Sequence, residues 1–325
     1  MSFDHGTPEG RMNLWRAMVR GRAFDQAMCR HNNHWHEARG EEAVFIGGFA
    51  QLEADDIVAP HFRGACAVSL MRGSDPAELA AGVFGTDGSN SGGNWRGDIC
   101  PTPSERFIGM FSGSLGTTVA YATGAALHLQ QRHLKNVAVC AFGDGTANAG
   151  IVAESMNLAS MLKLPLVFIC QNNQYATSLP ATTAIAGGTV SDRAKALGLE
   201  VVDVDGNDLE AVISARATAV ARAREGGGPT LIHALTYRMG GHYMNDPETY
   251  RTRDEVAAWE KLDPITRFEQ KLIVAGELGA DEAASETLSL MAEMNDIVAA
   301  AKDAPPTENL VLNPSAYAED WRIAS

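Results

Sequence analysis

Residues 137–142, 166–170, 200–204 and 230–236 are short runs rich in apolar residues, and each is separated from the next by a stretch with helical character at 151–162, 192–198 or 208–225. Apolar strands alternating with helices predict a doubly wound, mostly parallel sheet covered on both faces. A helix of small residues at 115–133 leads into the first of these strands. Earlier, the apolar positions of 10–30 recur at helical spacing, a second helix opens at Gly40-Glu-Glu-Ala, and Asp75-Pro76 starts a third that stops by Gly85. Beyond a loop at 237–251, two further helical stretches are expected at 254–274 and 281–302. The reading is one α/β domain over 1–325, with a helical arm to about residue 60, a core to about 250 and a helical extension after it.

Composition narrows the function classes. The 325 residues carry a formal charge of −14, which leaves no basic footprint for nucleic acid or an anionic membrane. Any anion must therefore be held by local cations or a metal. Five cysteines without a C-x-x-C pair fit a reducing cytoplasm, and no basic leader or bilayer-length apolar run is present. The segment 85–106, rich in Gly, Ser, Asn, Asp and Pro, has no hydrophobic period and is too long for an ordinary connection, so it is read as a functional loop or a mobile one.

The chemistry concentrates where a buried strand runs into Gly143-Asp144-Gly145. Asp144 then projects from the carboxyl end of a parallel strand, where α/β folds bind ligands. The dinucleotide pattern G-x-G-x-x-G fails, because Asn148 stands where its third glycine would be. Residues 146–171, enough for one crossover helix and its loops, separate this motif from Asn172-Asn173 at the end of the next strand. A carboxylate and a carboxamide at adjacent strand tips are hard oxygen ligands suited to Mg²⁺, whose remaining positions take diphosphate oxygens and water. No zinc-like His/Cys spacing and no G-x-S-x-G elbow is present.

These features resemble the thiamine diphosphate enzymes, and more narrowly the alpha subunit of the decarboxylating component of 2-oxo acid dehydrogenase complexes, a group including pyruvate, branched-chain and acetoin dehydrogenases. The resemblance runs through His36, Gly40-Glu-Glu-Ala, Phe62-Arg63, Arg72-Gly73, Gly113-Ser-Leu-Gly116, Gly143 to Gly150, Gln171-Asn-Asn-Gln-Tyr175, Thr236 to Arg251 and Leu262-Asp-Pro-Ile265. It implies a thiamin diphosphate-binding fold, with Mg²⁺ on Asp144, Asn173 and the main chain of Tyr175. It places Arg63, Arg238 and His242 toward the diphosphate with the amides of Gly145 and Thr146, counts Phe62 among the cofactor-binding residues, sets Gly113 against the pyrimidine, and makes Leu115 a prop between the cofactor's two rings. His36 and His242 are the candidate catalytic residues, His36 being either a substrate contact or a satisfied loop histidine.

The resemblance further implies a beta subunit that carries a pyrimidine-binding domain and the catalytic glutamate, since this chain holds one such domain and not two. An α₂β₂ assembly would follow, with Gly116, Ala120, Gly124 and Ala125 as a small-residue row for close approach to the sheet or to another subunit. The substrate would be a 2-oxo acid or acyloin and the acyl acceptor a lipoyl group, so a lipoyl acyltransferase is a further expected partner. The chain departs from the family at Gly92-Gly-Asn-Trp-Arg96, at Ala65 and at Tyr243, where relatives carry histidines and a regulatory serine. A split carboligase or acyl-transfer enzyme without a lipoyl partner is the alternative. A cofactor-binding subunit without activity is the third reading.

Overall fold

The computed structural model describes residues 2–89, 106–108 and 114–307. Helix α1 (Pro8–His31) starts with proline in its first turn and the Thr7 hydroxyl accepting from the Gly10 amide, and α2 (Glu42–Phe49) follows. Next come strand β1 (Ile57–Ala59), α3 (Ala65–Met71) and α4 (Pro76–Phe84), the last capped by Asp75 and ended by Gly85 in the left-handed region. The core continues as α5 (Thr117–Gln131), β2 (Ala138–Gly143), α6 (Gly150–Leu162) and β3 (Leu166–Asn172). A small hairpin, β4 (Tyr175–Ala176) with β5 (Leu179–Pro180), and one helical turn, α7 (Ala181–Ala184), precede α8 (Val190–Ala196), β6 (Glu200–Asp205), α9 (Leu209–Arg224) and β7 (Thr230–Leu235).

Three helices close the described chain: α10 (Arg253–Glu260), α11 (Pro264–Val274) and α12 (Ala280–Asp303). Where the periodicity predicts one stretch over 254–274, Pro264 interrupts the helix because it has no amide hydrogen to donate, and Asp263 caps α11 by accepting from Thr266.

The sheet order is β1-β2-β3-β7-β6, with every neighbouring pair parallel. Side chains alternate across it as strand geometry requires. Val139, Ala141, Val167, Ile169 and Ile232 pack toward α1, α2, α3 and α9, whereas Cys140, Phe142, Phe168, Cys170 and Leu231 pack toward α5, α6 and α8. Apolar residues on both faces explain why these strands read as continuous runs rather than alternating ones. Strand β1 lies in what the periodicity assigns to the helical arm; three residues are too few for any period, and pairing with β2 makes the strand.

Helix α5 buries Thr118, Val119, Ala122, Thr123, Ala126 and Leu129. Of the expected small-residue row, Gly116 is buried, Ala120 and Ala125 are half-buried and Gly124 is exposed, so the row turns mostly away from the sheet. Among the described residues no helix is long and apolar enough to cross a membrane.

Candidate active site

Four neighbouring strands end on one side of the sheet, and each carries a polar residue just beyond its tip: His61 after β1, Asp144 after β2, Asn173 after β3 and Arg238 after β7. Register holds the tips level, since Gly143 pairs with Gln171 and Asn172 with Leu235. A cleft at this edge is lined by His61, Phe62, Arg63, Leu115, Asp144, Gly145, Thr146, Asn173, Tyr175, Arg238 and His242 among others. Residues as far apart in the chain as His61 and His242 thus meet at one place.

Asp144 is 2% exposed, and its Oδ2 is sealed from solvent without a hydrogen-bond partner among the described residues. Burial pushes its carboxyl up to about 6, against main-chain amides and the charge of Arg238, which favour the ionised form. Asn173 gives its Nδ2 to both oxygens of Glu41, at 3.0 and 3.1 Å, which fixes the amide's orientation. The chain then reverses through Gln174, at φ 74°, into β4. Ala176 packs so close to the Asp144 turn that a Cβ on Gly145 would lie 2.6 Å from its methyl, so only glycine fits there.

A buried carboxylate with an orphan oxygen, a carboxamide held by its nitrogen and a main-chain carbonyl on Tyr175 form a hard-oxygen donor set that fits a divalent cation such as Mg²⁺. Among the described residues no three His, Cys, Asp or Glu side chains cluster as a metal site, so the set depends on its neutral oxygens.

The two arginines are wholly buried and braced by main chain. Arg63 donates Nη1 to the Glu37 carbonyl at 2.5 Å and Nη2 to the His242 carbonyl at 3.0 Å, while Nε lies 3.5 Å from Glu41. Burial lowers its guanidinium to about 10, with the Glu41 charge opposing that shift. Arg238 donates to the carbonyls of Tyr175, Thr177 and Gly240 and to the Tyr250 hydroxyl. Both still face the cleft.

His242 is held at about 4 by burial and then by the nearby Arg63 charge, so it is a neutral ring whose Nδ1 has no hydrogen-bond partner among the described residues. His36 lies outside the lining set; its Nδ1 donates to the His242 carbonyl at 2.5 Å, and its ring meets Phe62 edge-on at 5.2 Å. Leu115 is 57% exposed at the cleft, which excludes a core leucine. Thr146 is buried in the turn after Asp144, and Gly113 lies outside the described residues, as do 90–105 of the expected functional loop.

Sequence reasoning missed three supporting groups. Glu41, fully buried, accepts from Gln171 and Asn173 and is pushed up to about 7, burial outweighing Arg63. Asp25 on α1 accepts from Trp35 Nε1 at 3.0 Å and the Ala38 amide at 2.9 Å, clamping the loop that carries His36. His61 is the third. The doubled acid of Gly40-Glu-Glu-Ala was the available signal for Glu41; nothing in the local pattern marks the other two.

A profile of the dehydrogenase E1 component family matches residues 11–309. The chain is 38% identical to the 3-methyl-2-oxobutanoate dehydrogenase subunit alpha of Mycobacterium tuberculosis over 231 residues, 71% of this chain and 60% of that protein, so it spans less than two thirds of that relative. It is 38% identical to the alpha subunit of an acetoin:2,6-dichlorophenolindophenol oxidoreductase of Bacillus subtilis, covering 73% of this chain and 71% of the relative. It is also 32% identical to the 2-oxoisovalerate dehydrogenase subunit alpha of Bacillus subtilis, covering 92% of each. With an acid, an amide and two arginines gathered at the strand tips and a profile match along nearly all of its length, the chain belongs to the dehydrogenase E1 component family.

Proposed function

We propose that this chain is the alpha subunit of a thiamine diphosphate-dependent 2-oxo acid or acetoin dehydrogenase, and that it binds the cofactor's diphosphate through Mg²⁺. The observation that carries this reading is the orphan Oδ2 of Asp144, buried beside Asn173 and Tyr175 at the tips of β2 and β3. Asp144, Asn173 and the Tyr175 carbonyl would hold the metal. Arg63, Arg238 and His242, with the amides of Gly145 and Thr146, would receive the diphosphate, Phe62 would line the cofactor's cleft, and Leu115 would support the rings. When bound, thiamine diphosphate supplies the electron sink that 2-oxo acid decarboxylation needs. His242, neutral in this setting, would donate a hydrogen bond rather than a charge, and His36 braces it from outside.

Asp144 is the single acid among the described residues that line the cleft. With Asp144 on the metal, the acid that addresses the pyrimidine would come from a beta subunit, as the resemblance implies. Tyr121, Ile151, Leu158, Met161 and Leu162 are exposed apolar residues along α5 and α6, Ile151 lying at the Leu115–Gly116 end, and would seat such a partner in an α₂β₂ assembly. The acyl acceptor would be a lipoyl group on an acyltransferase. Ala65 is wholly buried at the start of α3, so no histidine answers that of the relatives there, and this favours a split carboligase as the second reading. Four described cysteines, all free and buried, suit a cytoplasmic enzyme.

Calorimetry tests the reading. Thiamine diphosphate should bind the wild-type chain reconstituted with its beta subunit only with Mg²⁺ present, and Asp144→Ala should abolish that binding. Unchanged affinity in the variant would overturn it.

A further inference from the structure

His61 occupies a position that the site described so far leaves without a task. It lies two residues beyond β1, and it lines two adjoining recesses at once. One recess holds Asp144, Asn173 and Arg238; the other is walled by Leu115, Thr118 and Phe142. The residue is 8% exposed; the Arg63 main chain lies beside the imidazole, yet Nδ1 is sealed from solvent and makes no hydrogen bond of ordinary geometry among the described residues. Its orientation is constrained, because the Phe62 ring packs at 4.3 Å and the tip of β2 approaches from the other side. There a Cβ on Gly143 would stand 3.2 Å from Nε2.

A buried polar nitrogen without a partner is costly, and one in the wall of a cleft is satisfied most simply by a ligand. Resting on the cofactor reading above, we propose that His61 is a further ligand-contacting residue, its Nδ1 forming a hydrogen bond to the middle of a bound thiamine diphosphate, between the metal-held diphosphate and the rings over Leu115. Burial and the Arg63 charge hold the imidazole down at about 3, so it meets the ligand as a neutral dipole and adds no positive charge to those of Arg63 and Arg238. The class of ligand recognised is a molecule with an anionic diphosphate at one end and a heteroaromatic ring at the other, long enough to cross both recesses.

Three variants test the contact on the full-length chain reconstituted with its beta subunit. Asn places a nitrogen near the Nδ1 position, Gln places one near Nε2, and Leu removes both. With saturating Mg²⁺, calorimetry should give His61→Asn a thiamine diphosphate Kd within about threefold of wild type, and His61→Leu and His61→Gln a Kd weaker by about tenfold, the size of one hydrogen bond. Thermal melting without ligand should show all three as stable as wild type, a readout that a packing role would move. Should His61→Leu fail to fold, the Asn and Gln pair carries the comparison. Equal affinity in all variants, or equal loss in Asn and Gln, overturns the assignment of Nδ1. Absence of any Mg²⁺-dependent binding by the wild type overturns instead the cofactor reading on which it rests.

Discussion

Replacing Asp25 by Asn isolates the clamp beneath His36. In the folded chain this carboxyl is pushed up to about 7 by burial, against the Ala38 and Trp35 hydrogen bonds that favour its ionised form, whereas its ordinary value is 3.8. The folded state therefore holds the proton more tightly than the unfolded one, and the stability this confers is complete below about pH 4 and lost as the pH rises through about 7. The whole effect is about 4 kcal/mol, of which more than half falls between pH 5 and pH 8. Asn does not titrate, so this slope disappears in the variant. At pH 5 Asp25→Asn should be less stable by about 1–3 kcal/mol, because its amide nitrogen faces the Trp35 or Ala38 N–H, a donor against a donor. By pH 8 it should have regained about 2–3 kcal/mol relative to wild type. Urea denaturation of both proteins at pH 5, 6, 7 and 8, followed by circular dichroism, measures the difference. Parallel stability–pH curves would refute the reasoning.

Other perturbations follow from named contacts. Arg22→Met strips the partner from Glu42, which is 1% exposed and bonded at 2.6 Å, and should cost about 3–5 kcal/mol in urea unfolding at pH 7. Gly145→Ala forces a methyl against Ala176 and should destabilise by about 1–3 kcal/mol, with a matching fall in melting temperature. Leu115→Ala, at an exposed position, should leave stability within about 0.5 kcal/mol while weakening Mg²⁺-dependent thiamine diphosphate binding in calorimetry.

The central strands and their two tip motifs were legible because runs buried on both faces cannot be mistaken for surface, and because Asp144 and Asn173 follow those runs directly. The helix boundaries at Asp75-Pro76 and Gly85 were legible for equally local reasons. What escaped were relations that sequence distance hides. Glu41 matters through Asn173, Asp25 through the turn at Trp35, and His61 through β1, whose three residues carry no period. The arginines illustrate a different gap: residue type marked Arg63 and Arg238 for an anion, but only packing revealed how much of each guanidinium is occupied by carbonyls of its own chain.

Because the four polar tips belong to β1, β2, β3 and β7, the site has no local precursor. A helix layer that peels away, or a sheet that fails to align one strand, dismantles the cleft as a whole. Ligand binding is then linked to global unfolding rather than to the order of a single loop, and at a concentration one hundred times its dissociation constant it should protect the entire sheet by about 2.7 kcal/mol. Hydrogen exchange would record that as a uniform slowing of amides in all the parallel strands, including those of β6, which touches no part of the cleft.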